Sequence, residues 1–123
     1  MGQPISPRSI LIVEDEPFVR HDLADFFEDR GFQVFAAQDA DTAAEILAAH
    51  ASIRIVLTDV QMAGTMDGVK LAHVVRDRCP LAILIIVSGM GHPPIADLPD
   101  GSVFLAKPFD PRHVLDEIER LSA

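Results

Sequence analysis

Three apolar runs of this chain each end on charged residues. These are Glu14 with Asp15 after the first run, Asp59 after the second and Lys107 after the third. If the runs are buried parallel strands, their charges meet at one edge of a sheet, because the carboxyl ends of parallel strands line the ligand crevice of open α/β folds. Carboxylates that converge need neutralising partners. With a lysine also present, the pattern favours a divalent cation and an anion such as phosphoryl, since Mg²⁺ takes one or two carboxylates plus phosphate oxygens.

Asp59 is the candidate for covalent chemistry at such a site. A carboxylate can act as a nucleophile towards phosphorus and form an acyl phosphate, and phosphoryl transfer depends on positioning and charge neutralisation. Ser88 ends a fourth apolar run and offers a hydroxyl that can donate to a phosphoryl oxygen, while Gly89 leaves space and a free backbone amide. The residues alone therefore suggest a site that accepts a phosphoryl group, with a cation and Lys107 neutralising its charge.

Length, charge and hydropathy limit the classes of function. The chain has 123 residues, 49% of them hydrophobic, which fits one ordinary domain with one hydrophobic core. A formal charge of −9 argues against direct DNA binding, which needs clustered lysine and arginine. The longest purely apolar stretch, 81–87, is too short to span a bilayer, and the N-terminus has no signal-peptide pattern. We expect a cytoplasmic protein without membrane contact.

The order of the elements follows from the hydrophobic pattern. Five apolar runs alternate with longer segments of helical period, which is typical of a parallel sheet with crossover helices. The first helix is expected from about Pro17 to Arg30, ending at Gly31, with four apolar residues on its buried stripe. Those residues are Val19, Leu23, Phe26 and Phe27. The last helix is expected to start with Asp110 as its cap and Pro111 in its first turn.

The segment between the fourth and fifth strands differs from the other crossovers. Residues 89–102 contain three glycines and three prolines, so a full helix is not expected there. The segment still exceeds the roughly 10 to 12 residues that a βαβ crossover requires. We expect a loop-dominated connection with a short helical turn around Ile95 to Leu98.

Four sequence elements together indicate a family. They are Glu14-Asp15, Asp59, Ser88 and the tripeptide Lys107-Pro108-Phe109. In these elements and their spacing, the chain resembles the receiver domain of bacterial two-component response regulators over about 9–121. The resemblance implies a doubly wound, flavodoxin-like α/β fold with five parallel strands in the order 2-1-3-4-5. We expect a single receiver domain over 1–123 with no output domain, and, from the glycines and prolines of 89–102, a shortened or loop-like fourth crossover.

The resemblance further implies a Mg²⁺ site, in which Mn²⁺ is also possible. Asp15 and Asp59 would ligate the cation directly, and Glu14 would act through a water. The backbone carbonyl of Gln61 would complete the protein ligands. Asp59 would be the phosphoacceptor.

Phosphoryl binding and switching are assigned by the same resemblance. Ser88, Gly89 and Lys107 would bind the phosphoryl group, with a cis Lys107-Pro108 bond directing the lysine into the site. Phe104 stands at the family's aromatic switch position. Ser88 would move towards the phosphoryl group, and the ring of Phe104 would then turn inward and alter a partner-binding surface.

The resemblance also implies the kind of partner. The chain would receive its phosphoryl group from a histidine kinase or a histidine phosphotransfer protein, with an unknown downstream target and a monomer as the expected state. It would not be an ordinary enzyme, since it assists only its own phosphorylation and dephosphorylation.

Two departures from the family's pattern affect the surface that partners would recognise. The loop 60–68 is one residue longer than usual, with Ala63 where proline is common, and the fourth crossover is about three residues shorter.

Other interpretations stay open at this point. Glu14-Asp15 alone can be explained as N-terminal helix caps. A haloacid-dehalogenase-like phosphatase also uses a strand-end aspartate, but it needs a second acid two positions later, where this chain has Gln61. A third alternative is a receiver-like module that binds partners without phosphorylation. The complete set of acidic, hydroxyl and lysine residues argues against it.

Some residues admit a structural or a functional interpretation. Phe18 on the first helix either packs in the core, which we expect, or marks a docking patch for a phosphodonor histidine domain. Cys79 is expected to be a small buried hydrophobe. The histidines lack paired ligand spacing, which argues against a zinc site. They are His21, His50, His73, His92 and His113.

Overall fold

The computed structural model describes residues 8–60, 67–89 and 97–122. The strands within these ranges are β1 (Ser9–Val13), β2 (Gln33–Ala37), β3 (Ile55–Asp59), β4 (Ile83–Ser88) and β5 (Val103–Ala106). The helices are α1 (Pro17–Asp29), α2 (Ala40–Ala49), α3 (Gly68–Arg78) and α4 (Pro111–Ser122). Within the described ranges, no helix has the length and apolarity needed to cross a membrane.

The strands form one parallel sheet with helices on both faces. Their order is β2-β1-β3-β4-β5, which confirms the predicted doubly wound topology. One hydrophobic cluster joins the sheet to α2 and α3, and a second joins the opposite face to α1 and α4. Strands β1 and β3 are buried along their whole length, as expected of strands covered on both sides. The two clusters fix the strands, and with them the positions of the strand ends.

Helix α1 begins where the sequence predicts, but its buried stripe is shorter. Glu16 is the N-cap, and its carboxylate accepts a hydrogen bond from the backbone N–H of Val19 at 2.8 Å. Leu23 and Phe27 are buried, whereas Val19 is 37% exposed and Phe18 is 81% exposed. The expectation that Phe18 packs in the core is therefore wrong. Both exposed residues lie in the first turn of the helix, next to the point where β1 ends.

The described end of the fourth crossover agrees with the predicted loop-dominated connection. Residues 97–102 contain no α-helix, and the helical turn predicted from Ile95 begins outside the described residues. Leu98 is buried in the cluster formed with α2 and α3. The carbonyl of Asp97 lies 2.8 Å from Nε2 of His73 on α3. These contacts attach the end of the crossover to α3.

Helix α3 starts in close contact with the end of β3. Asp67 caps the helix, and its carboxylate accepts a hydrogen bond from the N–H of Lys70 at 2.8 Å. The N–H of Gly68 donates to the carbonyl of Val60 at 3.3 Å. A Cβ atom at Gly68 would overlap the carbonyl of Asp59 and the Cα of Val60. Glycine at this position therefore lets the helix approach the strand that carries the strand-end aspartate.

We predict that Gly68→Ala destabilises the fold by about 1–3 kcal/mol, the usual cost of overpacking. The added methyl group would press against backbone atoms of Asp59 and Val60, which cannot rotate away. Gly89→Ala is the matched control, because no described heavy atom lies within 4 Å of a Cβ there. Urea unfolding followed by circular dichroism measures both variants, since the chain has no tryptophan. Equal stabilities would contradict the steric explanation.

Candidate functional site

The ends of four strands bring the candidate residues to one edge of the sheet. Asp59 and Ser88 are the last residues of β3 and β4, and Glu14 and Lys107 directly follow β1 and β5. The backbone N–H of Lys107 donates to the carbonyl of Ser88 at 2.8 Å, which holds the ends of β4 and β5 level. The Lys107–Pro108 peptide bond is cis, as the resemblance implied.

The Lys107 ammonium lies between two carboxylates. Its Nζ donates to Oδ2 of Asp59 and, at 3.2 Å, to Oε1 of Glu14. Asp59 is 3% exposed and Glu14 is 2% exposed. Burying an unpaired charge costs several kcal/mol, so both carboxylates depend on this lysine. One lysine shared by two carboxylates still leaves the cluster with a net negative charge.

The pKa shifts in this cluster follow from burial and from the lysine contacts. Burial raises the pKa of Glu14, and the hydrogen bonds from the Glu16 N–H and from Lys107 only partly offset this effect. Burial lowers the pKa of Lys107, but the hydrogen bonds and attraction of Asp59 and Glu14 outweigh it, so that this pKa is raised. Lys107 therefore stays charged at neutral pH, whereas the charged form of Glu14 is disfavoured relative to water.

Three carboxylates at this edge fit a divalent cation. One oxygen from each of Glu14, Asp15 and Asp59 lies within 4.8 Å of the other two. Mg²⁺ prefers such hard oxygen ligands and keeps several waters. Asp15 is exposed, so a hydrated cation can reach the group from solvent. The expected fourth ligand, Gln61, lies outside the described residues.

The Ser88 hydroxyl is a second sign of a ligand at this edge. Ser88 is fully buried, and its Oγ has no hydrogen-bond partner among the described residues. A buried hydroxyl left unsatisfied costs about 1–3 kcal/mol, so such a group in a native structure needs an explanation. A phosphoryl oxygen held by Lys107, which follows the neighbouring strand β5, would accept the hydrogen bond that Ser88 lacks.

Two residues hold the loop that follows β1, namely Glu16, the cap of α1, and Arg20 in the helix. The N–H of Glu16 donates to Oε2 of Glu14 at 3.0 Å, and Nη1 of Arg20 donates to the carbonyl of Glu14 at 2.8 Å. Since Glu16 is the cap of α1, the interpretation of Glu14-Asp15 as mere helix caps is wrong. Sequence reasoning missed Arg20. The sequence feature that could have identified it is a positive charge in the first turn of a helix, a position that the helix dipole disfavours for cations.

Phe104 is the second residue of β5. It pairs with Ile86 on β4, two residues before Ser88. The ring is partly buried and packs against the core cluster that includes Leu98. Phe104 is thus connected to β4 through the sheet and to the core cluster through its ring.

A family model provides an independent comparison. The model described as the response regulator receiver domain matches residues 10–119. The chain belongs to this family. The family match favours the receiver interpretation over the dehalogenase-like phosphatase.

This receiver domain is similar to parts of longer curated proteins. It is 30% identical over 115 residues to the nitrogen assimilation regulatory protein NtrX of Azorhizobium caulinodans, covering 90% of this chain and 25% of that protein. It is 33% identical over 107 residues to the aerobic respiration control protein ArcA of Escherichia coli, covering 85% and 44%. The chain thus spans less than half the length of these curated relatives.

Solved receiver domains share the fold. A response regulator receiver protein from Sinorhizobium medicae superposes with a TM-score of 0.84 at 28% identity, covering 94% of both chains. The receiver domain of NtrX from Brucella abortus gives a TM-score of 0.80 at 28% identity, covering 91% of this chain and 96% of that one. The five-stranded sheet is therefore the fold of known receiver domains.

We predict that Glu14→Gln stabilises the cation-free receiver domain at neutral pH. Because the folded state raises the pKa of Glu14, the charged form costs stability above the folded pKa, and this cost is absent below the ordinary value of 4.5. The advantage of the variant should therefore shrink as the pH falls towards 4.5. Urea unfolding in EDTA across this range measures it.

Glu45→Gln on the exposed face of α2 is the matched control for this experiment. It removes the same charge without touching the buried cluster, so it should show no such pH dependence. A constant difference between Glu14→Gln and the wild type at every pH would contradict the assignment to burial.

Proposed function

We propose that this receiver domain accepts a phosphoryl group on Asp59 from a phosphohistidine of a histidine kinase or histidine phosphotransfer protein, with Mg²⁺ as its cofactor. The observation that carries the proposal is one cluster that joins a buried carboxylate, a lysine and a buried hydroxyl without a described partner. These groups combine a nucleophile with two donors for phosphoryl oxygens. Such a site suits a signalling domain that is itself phosphorylated.

The proposed transfer forms one bond and breaks one. An oxygen of the Asp59 carboxylate attacks phosphorus, the P–N bond to the donor histidine breaks, and the imidazole leaves with the electron pair. Lys107 must first release the carboxylate oxygen that it holds, and its ammonium then binds a phosphoryl oxygen. The ammonium stays charged, because both the carboxylates and the phosphoryl oxygen that replaces one of them favour its charged form. Attack by water on the acyl phosphate later returns the Asp59 carboxylate and inorganic phosphate.

Glu14, Asp15 and Asp59 would hold Mg²⁺ in this function, with the carbonyl of Gln61 as a further ligand. When bound, the cation supplies neutralisation of the negative charge on the phosphoryl oxygens. The carboxylate of Glu14 is already held towards the site by Lys107 and by the N–H of Glu16. Little reorientation of this side chain is then needed.

Ser88 and Phe104 form the proposed switch. A phosphoryl oxygen would give the Ser88 hydroxyl a hydrogen bond that the described residues do not provide. Movement of Ser88 on β4 would pass to Phe104, which pairs with Ile86 on the same strand. From Phe104 the change would reach the core cluster that holds Leu98, and a downstream protein would sense the altered crossover surface.

Phosphorylation by a small donor tests the function directly. We predict that acetyl phosphate and Mg²⁺ add one phosphoryl group to the wild-type protein, seen by intact mass, and none to Asp59→Asn. EDTA should abolish labelling, because the carboxylates would no longer hold the neutralising cation. Asp67→Asn is the matched control, since the carboxamide still caps α3 and should be labelled like the wild type.

The outcomes of this labelling experiment separate the alternatives. Equal labelling of Asp59→Asn and wild type would show that another residue is the phosphoacceptor. A wild-type protein that takes no phosphoryl group would favour the module that binds partners without phosphorylation.

We propose that the donor domain packs on the first turn of α1 and on the loop after β5. Phe18 and Val19 are exposed there. A cavity of about 510 Å³ is lined by Val19, Pro108 and Phe109 and reaches Lys107, and Phe18 lines a second cavity of about 430 Å³ on the same helix. An exposed apolar patch next to the reactive group fits the apolar face of a helix that carries the phosphohistidine.

We predict that Phe18→Ala slows phosphoryl transfer from a protein donor by about 10-fold, because an exposed aromatic anchor is lost from the interface. Labelling by acetyl phosphate should not change. Leu81→Ala is the matched control, since Leu81 is 91% exposed but precedes β4 at the opposite edge of the sheet. The protein donor in this assay is the autophosphorylated catalytic portion of a histidine kinase. The kinase used is the one that labels the wild type fastest. Equal rates for both variants would refute docking at Phe18.

A further inference from the structure

Arg20 contacts the loop of candidate metal ligands without being a ligand itself. Its Nη1 donates to the carbonyl of Glu14 at 2.8 Å. Its backbone N–H donates to the carbonyl of Glu16 at 3.0 Å. This second contact is the first backbone hydrogen bond of the helix, so the contact specific to the arginine side chain is the one from the guanidinium to Glu14.

Helix stability does not explain an arginine at this position. Arg20 is the fourth residue of α1, and the N-terminal turn of a helix favours negative charge. Acidic side chains surround the loop, yet the hydrogen bond of this guanidinium among the described residues goes to a backbone carbonyl. The contact therefore orients the backbone of the loop.

The carbonyl of Glu14 needs a partner because it lies just past the paired part of β1. The strand pairing of β1 ends at Val13. The N–H of Glu14 still donates to the carbonyl of Ala37 at 3.0 Å. Glu14 is buried, and buried backbone carbonyls are normally paired. Arg20 supplies that partner, and so it fixes the peptide unit that joins Glu14 to Asp15.

We propose that Arg20 is a positioning residue for the cation site: it holds the Glu14–Asp15 peptide so that both carboxylates are oriented before Mg²⁺ binds. This inference rests on the proposed role of Glu14 and Asp15 in holding the cation. Groups that orient metal ligands typically contribute 10–100-fold to metal affinity, so loss of Arg20 should weaken binding about 10-fold. The charge of Arg20 acts in the opposite direction, because a nearby cation repels Mg²⁺.

Two substitutions separate positioning from charge. Arg20→Lys keeps the charge but loses the planar fork of donors, whereas Arg20→Met loses both and keeps an apolar stem. If Arg20 positions the loop, isothermal titration calorimetry will show Mg²⁺ binding about 10-fold weaker in Arg20→Lys, and weaker by a smaller factor in Arg20→Met, where loss of the charge partly offsets the loss of positioning. If only its charge matters, Arg20→Lys will bind like the wild type and Arg20→Met more tightly. Either of these last two results would overturn the inference.

Arg112→Met is the matched control, because it removes an exposed arginine from the first turn of α4 and changes the net charge equally. It should bind Mg²⁺ like the wild type. Two further measurements exclude a merely structural effect of the Arg20 variants. Their urea midpoints in EDTA should fall only by what the loss of one hydrogen bond to the Glu14 carbonyl costs, and labelling of Asp59 by acetyl phosphate should recover fully at saturating Mg²⁺. If Arg20→Met does not fold, Arg20→Lys alone decides.

The Mg²⁺ titration of the wild type separates a failure of the proposed function from a failure of the inference about Arg20. A wild type that binds no Mg²⁺ would overturn the proposed function and this inference together. A wild type that binds Mg²⁺ with Arg20 variants of equal affinity would overturn the inference alone.

Discussion

One lysine between two buried carboxylates is the interaction on which the candidate site depends. Asp59 and Glu14 come from different strands and would repel each other without the Lys107 ammonium between them. Removing one partner of a buried ion pair typically costs 3–5 kcal/mol, because the remaining charge is left without compensation. The cluster therefore constrains the strands that carry it. Strand β5 in particular has to deliver a lysine to the edge of β3 from the far side of β4.

The register of β5 meets this constraint. Ala106 pairs with Ser88, and the next N–H, that of Lys107, donates to the carbonyl of Ser88. A slip by one residue would turn every side chain of the strand to the opposite face of the sheet, and the lysine would leave the carboxylates. The register is held by apolar packing on both faces, with Phe104 on one side and Leu105 on the other. The hydrophobic core thus determines the geometry of the polar site.

The helices and strands, and the sheet edge that the charged residues share, could be predicted from the sequence. Apolar runs and the charged residues that follow them are local features. The strand order needed the resemblance, and the sheet confirmed it. Local patterns do not show where a helix leaves its sheet. The helical period extended the buried stripe of α1 to Val19, but the first turn of the helix lies next to the end of β1 and is exposed. Gly68 and Arg20 were missed for a related reason. Gly68 is required because backbone atoms at the end of β3 leave no room for a side chain, and Arg20 donates to a backbone carbonyl. Neither contact can be predicted from a pattern of residue types.

The same lysine stabilises the unphosphorylated domain without preventing its reaction. On the proposed function, Lys107 has to exchange the oxygens of Asp59 and Glu14 for a phosphoryl oxygen. A lysine with no access to water would resist this exchange, but 31% of the Lys107 side chain is exposed, so water can solvate the ammonium while it changes partners. Exchanging one anionic partner for another also leaves no charge without compensation, unlike the loss of a partner. The partly exposed position of Lys107 thus lets it neutralise the carboxylates of the unphosphorylated domain while remaining available to the phosphoryl group.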